Sequence, residues 1–158
     1  MNIERSYAIL ERRHGDSRDS QQIERDCDKM RIIIIEDDRA ILKSLKKILE
    51  LEGYEVDAAI NGEEGEEGIR KCRSKQFDLA LLDIRLPGMN GTEVLEVLHN
   101  EFPEMIKIMI TGHPSLENAV ASLRSGADAY LMKPVNPLIL LKVINEKLTL
   151  KSGLNVRT

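Results

Sequence analysis

Cysteine is scarce in this chain of 158 residues: only Cys27 and Cys72 occur, far apart in the sequence. A disulfide framework is excluded as an organising device, and neither cysteine belongs to a metal-ligand spacing, so both read as spare thiols of a reducing compartment. A basic excess is also missing. With 23 Lys and Arg against 27 Asp and Glu, the net charge is −4, and nothing is available to displace counterions from a phosphate backbone. Direct nucleic-acid binding is not expected. No apolar segment approaches membrane-spanning length, and the opening MNIERSYAILERRHGD lacks an uncharged hydrophobic core of the signal-peptide kind. The expectation is a cytoplasmic protein without membrane contact. Low-complexity segments and internal repeats are absent too. What remains, 42% apolar and 32% charged residues, is the composition of one ordinary globular domain with a proper core.

Residues 1–29 differ in texture from the rest, being dense in charges of both signs. Ile3, Tyr7 and Leu10 lie three to four apart, which allows one short amphipathic helix before Gly15; the remainder reads as a flexible linker. From Met30 the pattern sharpens into a domain running to Leu150, with 151–158 as a tail. Arg31 to Ile35 is a β-branched run, followed by Glu36, Asp37 and Asp38. Asp38 is placed to cap a helix through Ile41, Leu42, Leu45, Ile48 and Leu49, stopped by Gly53. Tyr54 to Ala59 alternates in polarity, as a strand near a sheet edge does. After a turn at Asn61-Gly62, residues Glu63 to Cys72 form a third helical stretch. Gly65 and Gly68 each cost it about 1 kcal/mol against Ala, so a short or frayed helix is expected.

The stretch FDLALLDIRLPGMNG, from Phe77 to Gly91, is the centre of the reading. Leu79 to Leu82 show no polar alternation, as in a strand buried on both faces, and the run ends in Asp83. Pro87 and Gly88 then make a loop. Thr92 to Asn100 carries Val94, Leu95 and Leu98 at helical spacing. Met105 to Ile110 is a strand ending in Thr111-Gly112-His113-Pro114, and Ser115 caps a helix with Leu116, Ala119, Val120 and Leu123 up to Gly126. Asp128 to Met132 is the last strand and ends in Lys133-Pro134. Asn136 and Pro137 open the final helix, which is expected to end near Leu150. Five strands alternating with five helices predict an α/β fold, a doubly wound parallel sheet.

Parallel strands gather their C-terminal tips on one edge: Glu36, Asp37 and Asp38 from the first, Asp83 from the third, Thr111 from the fourth, Lys133 from the fifth. Carboxylates crowded to about 4 Å repel by about 1 kcal/mol in water and about 4 kcal/mol at an effective dielectric of 20. Such a cluster must take up protons, spread, or bind a cation. An oxygen-only set with open water positions suits Mg²⁺, a natural companion of phosphoryl oxygens. With a hydroxyl from Thr111 and an ammonium from Lys133, the edge becomes a receptor for a transferring phosphoryl group, with Asp83 as nucleophile.

IIIIEDD, LLDIRLPGMNG, MITGH and GADAYLMKP, in this order, resemble the receiver domain of two-component response regulators, over about three quarters of the chain. The resemblance implies the flavodoxin-like strand order 2-1-3-4-5. It implies that Asp83 accepts a phosphoryl group from a histidine kinase or phosphotransfer protein. Mg²⁺ (or Mn²⁺) would be held by Asp37 directly, Glu36 through water, Asp83, and the backbone carbonyl of Arg85. Asp38 leaves the acidic register open by one residue, between helix cap and ligand. Thr111 matches the switch hydroxyl, Lys133 the phosphoryl-binding lysine, and Pro134 the proline whose preceding peptide bond is cis. Tyr130 matches the aromatic switch position, with an ordinary half-buried strand tyrosine as the alternative. Arg85 and His113 occupy positions that tune phosphate lifetime, while His14 and His99 have no partner that points to chemistry.

The fourth helix, fifth strand and fifth helix are the implied output face. Leu138 to Leu141 form an apolar run too wide for one core-facing stripe, so Leu138 or Ile139 is expected outside, in contact with a partner or a second copy. Two rival readings stand beside the switch. One is an aspartyl-nucleophile phosphatase or phosphotransferase, which needs a second acid two residues after the nucleophile, where this chain has Arg85. The other is a receiver-shaped adaptor that is never phosphorylated, although the full site set is present. The sequence leaves open whether the chain acts alone or precedes an output domain.

Overall fold

The structure, a computed structural model, describes residues 29–59 and 63–155, with side chains described up to 153. The readings made above for residues 1–28, for the Asn61-Gly62 turn and for 156–158 lie outside the described residues. Five strands form one parallel sheet: β1 (Arg31–Ile35), β2 (Glu55–Ala59), β3 (Leu79–Asp83), β4 (Ile106–Thr111) and β5 (Ala129–Met132). Their order is β2-β1-β3-β4-β5, so the doubly wound fold and the edge position of β2 are as expected. The helices are α1 (Arg39–Leu51), α2 (Glu64–Ser74), α3 (Gly91–Glu101), α4 (Leu116–Arg124) and α5 (Pro137–Asn155).

Alternation along the central strands divides the core in two. Ile33 and Ile35 of β1, with Ala80 and Leu82 of β3, pack against Ile69 and Cys72 of α2 and against Val94, Leu95 and Leu98 of α3. Ile32, Ile34, Leu79 and Leu81 face the other way, onto Leu42, Leu45 and Leu49 of α1 and Leu140 and Ile144 of α5. Every residue of β3 and β4 is buried, which is why these segments carry no polar alternation. Each large aliphatic side chain so enclosed contributes about 1.5–3 kcal/mol. Cys72 lies in this core, where burial pushes its thiol up to about 12, in keeping with a spare, inert thiol.

Two expectations about helices need correction. First, α2 is a regular helix of 11 residues and neither short nor frayed. Its glycines are sites of close approach: a methyl on Gly68 would overlap the Ile35 side chain, and one on Gly65 would come within 2.8 Å of Val94 Cγ2. The missing side chains bring α2 down onto β1 and α3, and that packing offsets the loss of helix propensity. Second, α5 runs to Asn155, past the end expected near Leu150, where no glycine or proline stands to stop it. The large apolar residues of α4 lie largely open to solvent. Leu116 is 81% exposed and Leu123 54%, whereas the fully enclosed residue of that helix is Ser122.

Candidate functional site

The C-terminal tips of β1, β3, β4 and β5 stand side by side because the register pairs Ile35 with Leu82, Asp83 with Ile110, and Thr111 with Met132. Backbone hydrogen bonds just beyond the strands extend this alignment: Ile84 N–H donates to Ile110 O at 3.3 Å, and Lys133 N–H to Thr111 O at 2.7 Å. Four side chains from distant parts of the chain are thereby brought together without any contact along the sequence.

Lys133 is the hub. Its Nζ lies 2.6 Å from Glu36 Oε2 and 2.9 Å from Asp83 Oδ2. Both carboxylates are nearly enclosed, at 3% and 7% exposure, while Asp37 beside them is open to solvent. Ligand oxygens of Glu36, Asp37 and Asp83 all lie within 4.8 Å of one another. Burial pushes the Glu36 carboxyl up from 4.5 to about 7; the hydrogen bonds from Lys133 and from the Asp38 amide hold it lower, and the charge of Asp83 adds to the rise. Burial alone would lower the Lys133 ammonium, but its bonds to Glu36 and Asp83 outweigh that and leave it raised. A cluster with more negative oxygen than one ammonium can neutralise fits a hard divalent cation, so the donor set and its electrostatics agree with the expected Mg²⁺ site.

Backbone amides aim the two enclosed carboxylates. Asp38 N–H donates to Glu36 Oε1 at 2.9 Å, and Arg85 N–H to Asp83 Oδ1 at 3.2 Å. These bonds carry no residue-type signal, so sequence reasoning had no means of finding them. Asp38 is exposed and caps α1: its Oδ1 accepts from Ala40 N–H and Ile41 N–H, the cap role that the sequence offered beside the ligand role. The helix after the Asp83 loop begins with a capping box that sequence reading missed, between Asn90 and Glu93 in both directions at 3.0 Å. Asn90 followed three residues later by Glu93 was its signal.

Thr111 is buried, and its Oγ1 accepts from His113 N–H at 3.0 Å. The Lys133-Pro134 peptide bond is cis. Arg85 and His113 are exposed. Tyr130 packs half-buried against the α2–α3 side of the core, and its enclosed hydroxyl has no hydrogen-bond partner among the described residues. His99, in the last turn of α3, lies against Gly126 and is remote from the acidic tips. No described helix is long and apolar enough to cross a membrane.

Comparison with known proteins bears on this geometry directly. The family of response regulator receiver domains matches residues 32–145. The solved structure of a CheY-like response regulator receiver domain protein from Methanospirillum hungatei is 54% identical and superposes with a TM-score of 0.75, covering 79% of this chain and 98% of that one. The BeF3-activated DrrB receiver domain is 28% identical with a TM-score of 0.70, over 77% of this chain and 98% of that one. Among curated relatives, the DNA-binding response regulator MtrA of Mycobacterium tuberculosis is 36% identical over 123 residues, and this chain spans 52% of its length. The alginate biosynthesis transcriptional regulatory protein AlgB of Pseudomonas putida is 36% identical over 107 residues, 68% of this chain and 23% of that protein. The chain thus spans about a quarter to a half of the length of these curated relatives. Its strand order, its acidic cluster and these matches lead to one conclusion: it belongs to the response regulator receiver domains of two-component signalling, which are phosphoacceptor switches.

Proposed function

We propose that Asp83 is the phosphorylated residue of this switch and that its neighbours divide the work as follows. One Asp83 oxygen attacks the phosphorus of a phosphohistidine on the kinase or phosphotransfer protein. The P–N bond breaks, the imidazole leaves with its electron pair, and an acyl phosphate remains on Asp83. Glu36, Asp37, Asp83 and the backbone carbonyl of Arg85 would hold Mg²⁺ (or Mn²⁺), which when bound supplies positive charge against the phosphoryl oxygens. Lys133, already bonded to Asp83, stays with the phosphoryl group as its charge develops. Thr111 exchanges its present bond from the His113 amide for one to a phosphoryl oxygen, and the loop after β4 moves with it. Arg85 and His113 regulate the approach of water and hence the lifetime of the acyl phosphate. The observation that carries the reading is the single ammonium bridging two enclosed carboxylates with a third acid in reach.

The added charge of about two units favours a conformer in which the loop after β4, Tyr130 and the α4-β5-α5 face are rearranged. Support for output there comes from exposure: Leu116, Leu123, Met132, Leu138 and Ile139 are all more than half exposed on these three elements. Both Leu138 and Ile139 lie outside, where one was expected. This face is read as the contact for an output partner or a second copy, and the protein as a cytoplasmic partner of its kinase. Incubation with a small phosphodonor and Mg²⁺, followed by intact mass, tests the assignment. The wild type should gain one phosphoryl group and Asp83→Asn none; labelling of the variant at wild-type level would refute it.

A further inference from the structure

We infer that Gly91 is a positioning residue for phosphoryl transfer, because the absence of its side chain sets where Asp83 stands. The inference rests on the assignment of Asp83 as acceptor. The loop leaving Asp83 turns back on itself, and Gly91 N–H closes it by donating to Ile84 O at 2.8 Å. This places the buried Gly91, first residue of α3, against the backbone of the acceptor itself. A methyl there would overlap the Asp83 carbonyl oxygen outright and would stand 2.8 Å from both the Asp83 carbonyl carbon and the Ile84 Cα. All three are backbone atoms of the strand end, so no rotamer change relieves the clash; β3 or the start of α3 must shift.

A shift there goes straight into the site. The Asp83 carboxylate is fixed from two sides, by Lys133 Nζ on Oδ2 and by the Arg85 amide on Oδ1, and that amide belongs to the same loop. Gly88, three residues earlier, offers the contrast. It needs glycine for its positive φ of 76°, yet a methyl on it would meet nothing within 4 Å. Gly88 is therefore a conformational requirement of the loop, and Gly91 a spatial requirement of the acceptor.

The test compares Gly91→Ala with Gly53→Ala. Gly53 has a φ of 90° and open space around it at the far end of α1, so its variant is strained and remote from Asp83. Both variants should melt below wild type. At matched folded fraction, Gly53→Ala should label from a small phosphodonor at the wild-type rate and bind Mg²⁺ equally well. Gly91→Ala should label about 10–100-fold more slowly, as a displacement of about 1 Å does to positioned groups, and bind Mg²⁺ more weakly. Equal rates and equal Mg²⁺ affinity for the two variants would overturn the inference. If Gly91→Ala does not fold, the wild type decides: the Gly91 amide resonance should move during a Mg²⁺ titration with the same midpoint as that of Arg85, while that of Gly53 stays still. An unmoved Gly91 amide would overturn it. Failure of the wild type itself to label would defeat the Asp83 assignment first, and this inference with it.

Discussion

Two lysines are withdrawn from solvent at opposite edges of this sheet, and they are shifted in opposite directions. Lys133, just past β5, meets Glu36 and Asp83, and its ammonium is raised. Lys107, near the start of β4, is 1% exposed and donates to the Phe102 carbonyl at 2.7 Å; burial lowers it, with the charge of Asp128 only partly opposing this. Enclosure is common to both. What differs is the group in direct contact: two carboxyl groups against one carbonyl dipole. An enclosed cation with surplus anionic oxygen around it is prepared for an incoming divalent ion and a phosphoryl group, whereas an enclosed cation on a carbonyl is architecture.

The largest expected effect separates the two directly. Lys133→Met should slow labelling from a small phosphodonor by about 100-fold or more, in the range found when one preorganised charge-stabilising donor is removed. Lys107→Met should label at the wild-type rate. Intact-mass time courses at saturating Mg²⁺ measure both, and a slow Lys107 variant would abolish the distinction.

A second comparison concerns α3 and α4, which both carry apolar residues at helical spacing yet pack differently. In α3, Val94, Leu95 and Leu98 are completely enclosed; in α4, Leu116, Val120 and Leu123 are exposed. Leu95→Ala should therefore cost about 2–5 kcal/mol in urea unfolding. Leu123→Ala should stay within about 0.5 kcal/mol and show its effect in association with a partner or second copy. A large loss at Leu123 in dilute monomer would mean that the α4 face is core after all.

Proton competition at the acidic hollow gives a smaller effect. Glu36 is raised by burial from 4.5 to about 7, so between these values the folded chain holds a proton that the unfolded chain has released. Its contribution to stability is fully present below 4.5 and is lost as pH rises through 7. Asp37, Asp83 and Lys133 face the same carboxyl, and a divalent cation must displace that proton to bind. The gain in Tm from saturating Mg²⁺ should accordingly be several degrees at pH 8 and less at pH 6. Equal gains at the two pH values would show that Glu36 is no part of the cation site.

How far the sequence could be read follows from the same residues. Asp83, Glu36, Thr111 and Lys133 were legible because each ends an apolar run, and parallel strands align their ends whatever the details of packing. The strand order followed once those motifs were recognised together. The environment of a helical stripe was not legible: periodicity shows that α4 has an apolar face but not whether another element covers it. Gly65 and Gly68 were misjudged because local propensity counts the entropy of glycine and is blind to Ile35 and Val94 lying against it. Gly91 was quoted as part of a loop motif, but its contact with the Asp83 backbone exists only in three dimensions.

Lys107 offers the smallest prediction and the sharpest sign. It is the one charged residue of IKIMIT, and every residue of β4 is enclosed. Because its ammonium is lowered in the folded state, the folded chain releases that proton before the unfolded chain does as pH rises. Wherever the unfolded state holds more protons, stability increases with pH. Burial of the charge is thus fully opposed to folding below the folded pKa, and the opposition fades as pH climbs toward the ordinary lysine range. Lys107→Met removes the titration while keeping an unbranched apolar stem, and it also leaves the Phe102 carbonyl without its donor. The sign of the stability difference at pH 7 therefore depends on two opposed effects, but its slope depends on one. Between pH 7 and 10 the wild type should gain stability relative to Lys107→Met in paired urea titrations. A flat difference would show that the ammonium is as well accommodated by Phe102 and Asp128 as it is by water, and the contrast with Lys133 would then rest on geometry alone.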